Sequence, residues 1–152
     1  MAWATPDSPN LTDFTEFVGN YFNATVLPAS SVWIGYALDY ALARVSGANN
    51  SNIPGPQYTL VVYQLGMHWL IKWTPDQPGQ TAFAAARNQY KLLDFVGGVV
   101  AASSDTGTSS SLAVPESLKN LTLDALDCLK TPWGRAYLAY QQQMGPNVFG
   151  VT

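Results

Sequence analysis

The segment Tyr58-Thr-Leu-Val-Val-Tyr-Gln-Leu-Gly-Met-His-Trp-Leu-Ile-Lys-Trp73 has the periodicity of a helix that is apolar on almost every side. Apolar residues stand at positions 58, 61, 62, 65, 69 and 73, which is the i, i+3/i+4, i+7 spacing of one helical face. A second apolar row leaves one narrow polar stripe, formed by Gln64, His68 and Lys72. Because the segment is shorter than the roughly 20 apolar residues of a membrane span, we predict a central helix at about residues 57–73, surrounded by other helices and not in a membrane.

Helical spacing and capping signals recur on both sides of this segment. Before the central segment, these signals predict one helix from a cap at Asn10 or Thr12 to Phe22 and a second from Val32 to Val45, closed by Gly47. After it, they predict a helix from about Thr81 to Leu93 and two short helical pieces that start at Pro115 and Thr122. The last predicted helix begins at Pro132, is capped by Thr131 and ends just before Gly145.

Residues 95–114 have a different character. Phe95-Val-Gly-Gly-Val-Val is β-prone, residues 103–111 form a polar, turn-forming tract, and residues 112–114 fit a return strand. We therefore predict a hairpin-like excursion at about 95–114. The predicted fold class is mainly α: one domain of residues 1–152, a small helical bundle around the central helix, with a loose N-terminal arm (1–10) anchored by Trp3 and an extended C-terminal tail (146–152).

The composition indicates a protein that associates with other chains. Hydrophobic residues make up 47% of the chain and charged residues only 11%, whereas an average globular protein has about 25% charged residues. Aromatic residues, of which this chain has many, are enriched in the centres of interfaces. We therefore predict self-association or a permanent partner. The net charge of −3 argues against a sequence-reading DNA binder, which needs a basic face.

Few residues in the chain are typical of catalysis. One histidine and one cysteine leave little for a zinc site or a disulfide framework. We interpret His68 as a helix residue hydrogen-bonded to a neighbour, with a general base as the alternative, and Cys128 as a core residue. No nucleophile elbow or phosphate-binding glycine loop is present. We expect no enzymatic activity and no cofactor. Because no secretory signal follows Met1, we expect synthesis and retention in a cytoplasm.

Two short features have alternative interpretations. Asp105-Thr-Gly-Thr108 resembles the signature of aspartic proteases, which would make the protein a dimeric aspartyl hydrolase; that chemistry needs each Asp on a rigid loop after an apolar strand. Arg135 falls in the first turn of the last predicted helix, where a cation opposes the helix dipole. It is held either by a carboxylate or a partner's carbonyl groups, or it stacks as a surface residue on Trp133 or Tyr137.

Four blocks in a fixed order resemble small bacteriophage head–tail connector proteins (adaptor or head-completion proteins), over roughly residues 14–150. The blocks are Tyr58-Thr-Leu-Val-Val-Tyr-Gln-Leu-Gly-Met-His-Trp-Leu-Ile; Phe83 with Arg87 and Tyr90; Gly98-Val-Val-Ala-Ala-Ser-Ser-Asp-Thr-Gly-Thr-Ser; and Leu129-Lys-Thr-Pro-Trp-Gly-Arg-Ala-Tyr-Leu.

The resemblance implies a head–tail adaptor, a structural ring that joins the portal to the tail and lines the DNA passage. Its expected partners are further copies of itself, the portal protein, tail or nozzle proteins and, passively, the passing genomic DNA. Its expected location is the virion neck, and the host cytoplasm before assembly. The alternative is a tail-completion or tail-terminator protein of the same neck. The residues expected to contact neighbours are Ser103, Ser104, Asp105, Thr106, Gly107, Thr108, Ser109, Trp133, Arg135, Val148 and Phe149.

Overall fold

The structure, a computed structural model, describes residues 5–45, 54–94, 102–105, 108–111 and 122–144. Within these ranges the elements follow in the order α1 (Leu11–Gly19), α2 (Val32–Arg44), α3 (Gly55–Trp73), α4 (Ala82–Gln89), β1 (Ala102–Asp105), β2 (Thr108–Ser111), α5 (Leu123–Cys128) and α6 (Pro132–Met144). Helices α1, α2, α4 and α6 contact α3, and buried residues from α1 to α6 form a core cluster. The predicted fold class, a mainly helical bundle around a central helix, is confirmed.

Helix α3 is buried on every side over its second half. All residues from Leu65 to Ile71 are buried, which is almost two turns of helix. Each large apolar side chain that is fully buried there contributes roughly 1.5–3 kcal/mol of transfer free energy. The predicted polar stripe does not face water: His68 is fully buried and Lys72 is half-buried. Both side chains are instead bonded to residues of the last third of the chain.

Aromatic rings join α2 to α3. The ring centroid of Tyr40 lies 4.8 Å from that of Trp69 and 4.9 Å from that of Trp73, and the two indoles are 4.9 Å apart. Edge-to-face and tilted pairs at such distances add roughly 0.5–1.5 kcal/mol each beyond their burial. Earlier in α3, Gly66 lets Phe14 approach closely, since a Cβ at that position would lie 2.8 Å from the Cζ atom of the Phe14 ring. The middle of the α3 surface is therefore shaped for close contact with α1.

Helices α1 and α2 largely follow the prediction. Asn10 caps α1, and its side-chain oxygen accepts the Asp13 backbone N–H at 2.9 Å. The helix ends at Gly19 rather than at the predicted Phe22, because Gly19 and the following Asn20 are poor helix formers. Helix α2 ends one residue before the prediction, and the apolar residues that recur at helical spacing in its sequence (Ile34, Leu38, Ala41 and Val45) are buried. Gly47, predicted to close α2, lies outside the described residues.

The N-terminal arm is less loose than predicted. The Tyr63 hydroxyl donates to the Asn10 carbonyl and accepts the Asn10 N–H, both at 3.1 Å. Gly55, at the start of α3, lies against Asp7, since a Cβ there would be 2.4 Å from the Asp7 carbonyl oxygen. Residues 5–10 are therefore tied to α3, and the prediction of a loose arm is wrong for this half. Trp3, the predicted anchor, lies outside the described residues.

Helix α4 ends four residues before the predicted end at Leu93. Lys91 adopts a positive φ of 54°, its N–H donates to the Asn88 carbonyl at 3.3 Å, and the Leu92 N–H donates to the Arg87 carbonyl at 3.0 Å. This pair of bonds with a left-handed residue is the Schellman ending of a helix. As a result Leu92 is buried, whereas Leu93, the predicted end of the helix, is 73% exposed.

The connection between α3 and α4 is stabilised by a carboxylate and a guanidinium. The Asp76 carboxylate accepts the backbone N–H groups of Phe83 at 2.7 Å and Ala84 at 2.8 Å, which are otherwise unpaired donors of the first turn of α4. Arg87 donates to two carbonyl groups at the end of α3, at 3.0 and 2.7 Å. The two side chains also lie 3.8 Å apart as an ion pair. Together they fix α4 on the end of α3.

The predicted excursion contains a hairpin, but its strands are not where the sequence placed them. Strands β1 and β2 pair antiparallel, with Ala102 opposite Ser111 and Asp105 opposite Thr108. The polar tract predicted as the turn therefore forms both strands, because backbone hydrogen bonding does not require apolar side chains. The β-prone residues 95–100 and the predicted return strand 112–114 lie outside the described residues.

Helices α5 and α6 begin at the predicted caps. The Thr122 side chain accepts the Ala125 N–H at 3.2 Å, and the Thr131 side chain accepts the Gly134 N–H at 3.0 Å. Gly134 also allows the two helices to meet closely, since a Cβ there would lie 2.2 Å from the Cys128 carbonyl oxygen. Gly145, the predicted stop signal, and the helical piece predicted after Pro115 lie outside the described residues.

Candidate functional site

The residues predicted to contact neighbouring subunits fall into three groups. Ser103, Ser104 and Asp105 belong to β1, and Thr108 and Ser109 belong to β2. Trp133 and Arg135 lie in the first turn of α6. Thr106, Gly107, Val148, Phe149 and the predicted tail 146–152 lie outside the described residues. The structure thus places one part of the predicted interface on a two-stranded hairpin and another at the start of α6.

Trp133 packs mainly against its own chain. Its indole makes edge-to-face contacts with Tyr21, at 5.4 Å between ring centroids, and with Tyr90, at 5.8 Å. These two rings come from the turn after α1 and the end of α4, so the indole ties three separate parts of the bundle together. The side chain is half-buried. Only its exposed part is available to a neighbouring subunit.

Arg135 is an exposed cation. Its Nη1 lies 3.4 Å from the Leu129 carbonyl oxygen, a long hydrogen bond by ordinary criteria. Among the described residues, its guanidinium forms neither the ion pair nor the stacking contact that the sequence left open. Its charge therefore remains at the positive end of the α6 dipole, where a cation is unfavourable.

A groove lies between the end of α4 and helix α5, and we call it the α5 groove. It has a volume of about 440 Å³ and contains two strongly exposed leucines, Leu93 (73% exposed) and Leu123 (72%). The described residues that line it are Lys72, Leu92, Leu93, Asp94, Leu123, Asp124, Leu126, Asp127 and Lys130. Large apolar side chains at this level of exposure beside charged groups are typical of an interaction surface.

The two lysines of the α5 groove form ion pairs within the chain. Asp127 forms an ion pair with Lys72 and a second one, at 3.1 Å, with Lys130, and the Lys130 ammonium also donates to the Asp94 backbone carbonyl at 2.8 Å. Burial alone would raise the pKa of the Asp127 carboxyl, but the two ammonium groups outweigh it and hold this pKa below its ordinary value. Both ammonium groups of the groove are therefore engaged in contacts within the chain, while the Asp94 carboxylate is exposed.

A second apolar surface lies on the outer side of α2. Val32 is 63% exposed and Tyr36 is 58% exposed, and their i, i+4 spacing places them on one helix face. Gly35 lies beside them, and a Cβ at that position would meet nothing within 4 Å. Sequence reasoning missed this surface because it followed the buried stripe of α2. The signal was an apolar pair at helical spacing outside that stripe.

His68 is closed off from solvent. Its Nδ1 lies 2.7 Å from the Thr131 Oγ1, and that oxygen already accepts the Gly134 N–H. A hydroxyl oxygen can accept two hydrogen bonds, so the Thr131 hydroxyl pairs with Nδ1 whichever ring nitrogen carries the proton. Among the described residues Nε2 has no hydrogen-bond partner, although it is buried. Burial, and after it the positive charge of Lys72, lower the pKa of His68 from 6.5 to about 4.

This arrangement fits the structural interpretation of His68 and Cys128. A histidine beside a hydroxyl is also the geometry of an activated nucleophile, but His68 and Thr131 are both 0% exposed, so a substrate has no access to them in this conformation. Cys128 is a buried core residue, as predicted, and burial raises the pKa of its thiol to about 12. The thiol therefore stays protonated and weakly reactive.

Within the described ranges, no cluster of three or more His, Cys, Asp or Glu side chains is arranged to hold a metal ion. The helices of the same ranges include none that is both long enough and apolar enough to cross a membrane. No family model, curated protein or solved structure matches the chain.

Proposed function

We propose that this protein is a structural component of a bacteriophage neck, a head–tail adaptor whose copies form a ring between the portal and the tail and line the passage for DNA. The observation that carries the proposal is the combination of a body with only 11% charged residues and two separate exposed apolar surfaces, the α5 groove and the outer side of α2. Exposed apolar side chains beside polar groups are places where another chain could pack.

Two unlike surfaces on one subunit are what a closed ring would use. In a ring each copy presents one patch to the copy on its left and a different patch to the copy on its right. Two unlike apolar surfaces on one subunit suit that arrangement better than a two-fold dimer, which uses the same patch twice. The net charge of −3 suits a passage that DNA crosses without binding tightly, because phosphate contacts need basic side chains.

The hairpin is the element we assign to contacts with the neighbouring subunit or the portal. Its strands consist of Ala, Ser, Thr and Asp, and a short two-stranded sheet of this composition gains little stability by itself. Pairing with, or lying on, another chain would stabilise it. Asp105 lies within β1, opposite Thr108, which differs from the loop position that aspartic-protease chemistry requires.

The test is the native mass of the purified protein, alone and mixed with the portal protein encoded in the same genome. We expect a ring, formed either alone or on the portal. A second mixture with tail-tube protein distinguishes the adaptor from the tail-completion alternative. A monomer in all three samples would contradict the proposal.

A deletion variant tests the role of the hairpin. Removing residues Thr106 to Ser110 should leave the helical circular-dichroism spectrum unchanged, because this segment lies between α4 and α5 in the chain and belongs to none of the six helices. The variant should no longer be incorporated into infectious particles. If it completes infectious particles as well as the wild type does, the hairpin is not the docking element.

A further inference from the structure

The junction of α5 and α6 is attached to the central helix by two polar side chains of α3. The Nδ1 of His68 lies 2.7 Å from the Thr131 Oγ1, and one turn later Lys72 forms an ion pair with Asp127. We call residues 123–135, which comprise α5 and the first turn of α6, the α5–α6 corner. Both bonds from α3 end on this corner, so its attachment depends on the charge state of these two side chains.

Apolar packing holds the corner only weakly. Helix α5 has six residues, of which Cys128 alone is buried, and a helix so short is not stable without packing. Its ion pair with α2, between Arg44 and Asp124, has almost half of each side chain exposed and contributes little. The later part of α6 is held separately, since Tyr137 and Leu138 are buried in the core. Segments with so little burial open at a lower free energy than the whole domain.

The closed corner accommodates only the neutral form of His68. The imidazole is fully buried, and its Nε2 has no hydrogen-bond partner among the described residues. A protonated ring would place a charge and an unpaired N–H group where water is excluded, which is costly. Of the charged groups around the ring, Lys72 of α3 and Lys130 oppose its protonation, and Asp124 and Asp127 of α5 favour it. Burial and Lys72 outweigh the carboxylates and lower the pKa of His68 from 6.5 to about 4.

We propose that the α5–α6 corner is an acid-sensitive hinge within each copy: as the pH falls from about 7 to 5, His68 takes up a proton while the corner separates from α3, and this opening exposes the Cys128 thiol. Thr131 contacts Nδ1 in the closed form, so separation of the corner admits water to the imidazole. Gly134 packs directly on the Cys128 backbone, which keeps α5 and the start of α6 together as they move.

The single cysteine of the chain makes this opening measurable. The rate at which dithiodipyridine modifies Cys128 is measured at pH 7, 6 and 5, and each rate is divided by that of the urea-unfolded protein at the same pH. Because the open form binds a proton with the ordinary pKa of 6.5 and the closed form with a pKa of about 4, the divided rate should rise about 20-fold from pH 7 to pH 5. His68→Gln, which cannot take up this proton, should show no such rise. A constant rate in the wild type, or the same rise in His68→Gln, would overturn the proposal.

The urea dependence of the same rates distinguishes opening of the corner from unfolding of the whole domain. Opening of the corner exposes little surface, so its rate should increase only shallowly at low urea concentrations. The matched control is Val18→Cys in the background Cys128→Ala, because Val18 is buried in α1. That thiol should react at least about tenfold more slowly at pH 5, with the urea dependence of global unfolding.

Circular dichroism confirms that each variant is folded. The wild-type rate, compared with the urea unfolding curve of the same protein, decides the question without any variant. If Cys128 reacts with the full urea dependence of global unfolding, or no faster than the thiol at position 18, the corner does not open separately and the hinge is refuted.

Discussion

Acid should destabilise this protein through His68 before it titrates most of the carboxylates. The imidazole is 0% exposed, and its pKa is lowered from 6.5 to about 4, chiefly by burial. The folded state therefore holds His68 neutral over a range where the unfolded chain already binds a proton. Stability from this residue is fully present above pH 6.5, falls as the pH is lowered from 6.5 to 4, and changes no further below that.

The size of the effect follows from the shift in pKa. A displacement from 6.5 to about 4, at 1.36 kcal/mol for each pKa unit, corresponds to a loss of about 3 kcal/mol in the free energy of unfolding. Domains of this size are stable by only about 5–15 kcal/mol, so the loss is a large fraction of the total.

Urea unfolding at pH 6.5, 5.5 and 4.5, at one protein concentration, measures the loss. Because His68 is the one histidine of the chain, the variant His68→Gln removes the whole histidine contribution, and its amide can still bond to Thr131. The wild type should lose stability steeply across this range, whereas His68→Gln should change little. Equal slopes for the two proteins would refute the argument that burial holds His68 neutral.

Two other predictions concern backbone positions. Gly134→Ala should lower the free energy of unfolding by at least about 2 kcal/mol, because the new Cβ would meet backbone atoms of Cys128 at 2.2–2.8 Å. Gly35→Ala should instead raise the free energy of unfolding by up to about 1 kcal/mol, because its Cβ would meet nothing within 4 Å and alanine has the higher helix propensity. Urea midpoints compare the pair, and a shift in the same direction for both would contradict the packing argument. Lys91→Gly should raise the free energy of unfolding by about 0.5–1 kcal/mol, because Lys91 has a φ of 54°, which is unfavourable for any residue with a Cβ. Lys91→Ala keeps the Cβ and is the control; equal midpoints for these two variants would show that the turn is unstrained.

The helices with clear apolar periodicity were predictable from the sequence, because the positions that face the core are occupied by apolar residues. The stripe of α2 and the all-round apolar pattern of α3 reported the core correctly. The caps Asn10, Thr122 and Thr131 were also recognisable, since Asn and Thr side chains satisfy the unpaired N–H groups of a first turn. These features depend on interactions within a few residues, which a sequence displays directly.

The end of α4 was not predictable in the same way. A Schellman ending normally has glycine or asparagine at its left-handed position, whereas this chain has Lys91. The carboxylate that satisfies the first turn of α4 comes from Asp76, seven and eight residues before its partners. The left-handed Lys91 does not follow the usual local pattern, so the prediction continued the helix to Leu93, which is exposed.

The candidate interface was only partly accessible to sequence reasoning. The hairpin, Trp133 and Arg135 were selected from motif order and from the resemblance, whereas the α5 groove was missed. The groove is formed by residues 72, 92–94 and 123–130, which are far apart in the chain and meet only after folding. Its charge state likewise depends on the pairing of Asp127 with two lysines, which no spacing rule specifies.

The aromatic contact between α2 and α3 gives the molecule an internal optical probe. Trp69 and Trp73 lie close enough for their electronic transitions to couple, and Tyr40 packs on both, so the cluster should give a strong near-ultraviolet circular-dichroism signal that disappears when α2 separates from α3. The imidazole of His68 lies 5.3 Å from the Trp69 indole, near enough for a protonated ring to quench its emission. Fluorescence can therefore report protonation and helix separation in the unlabelled protein.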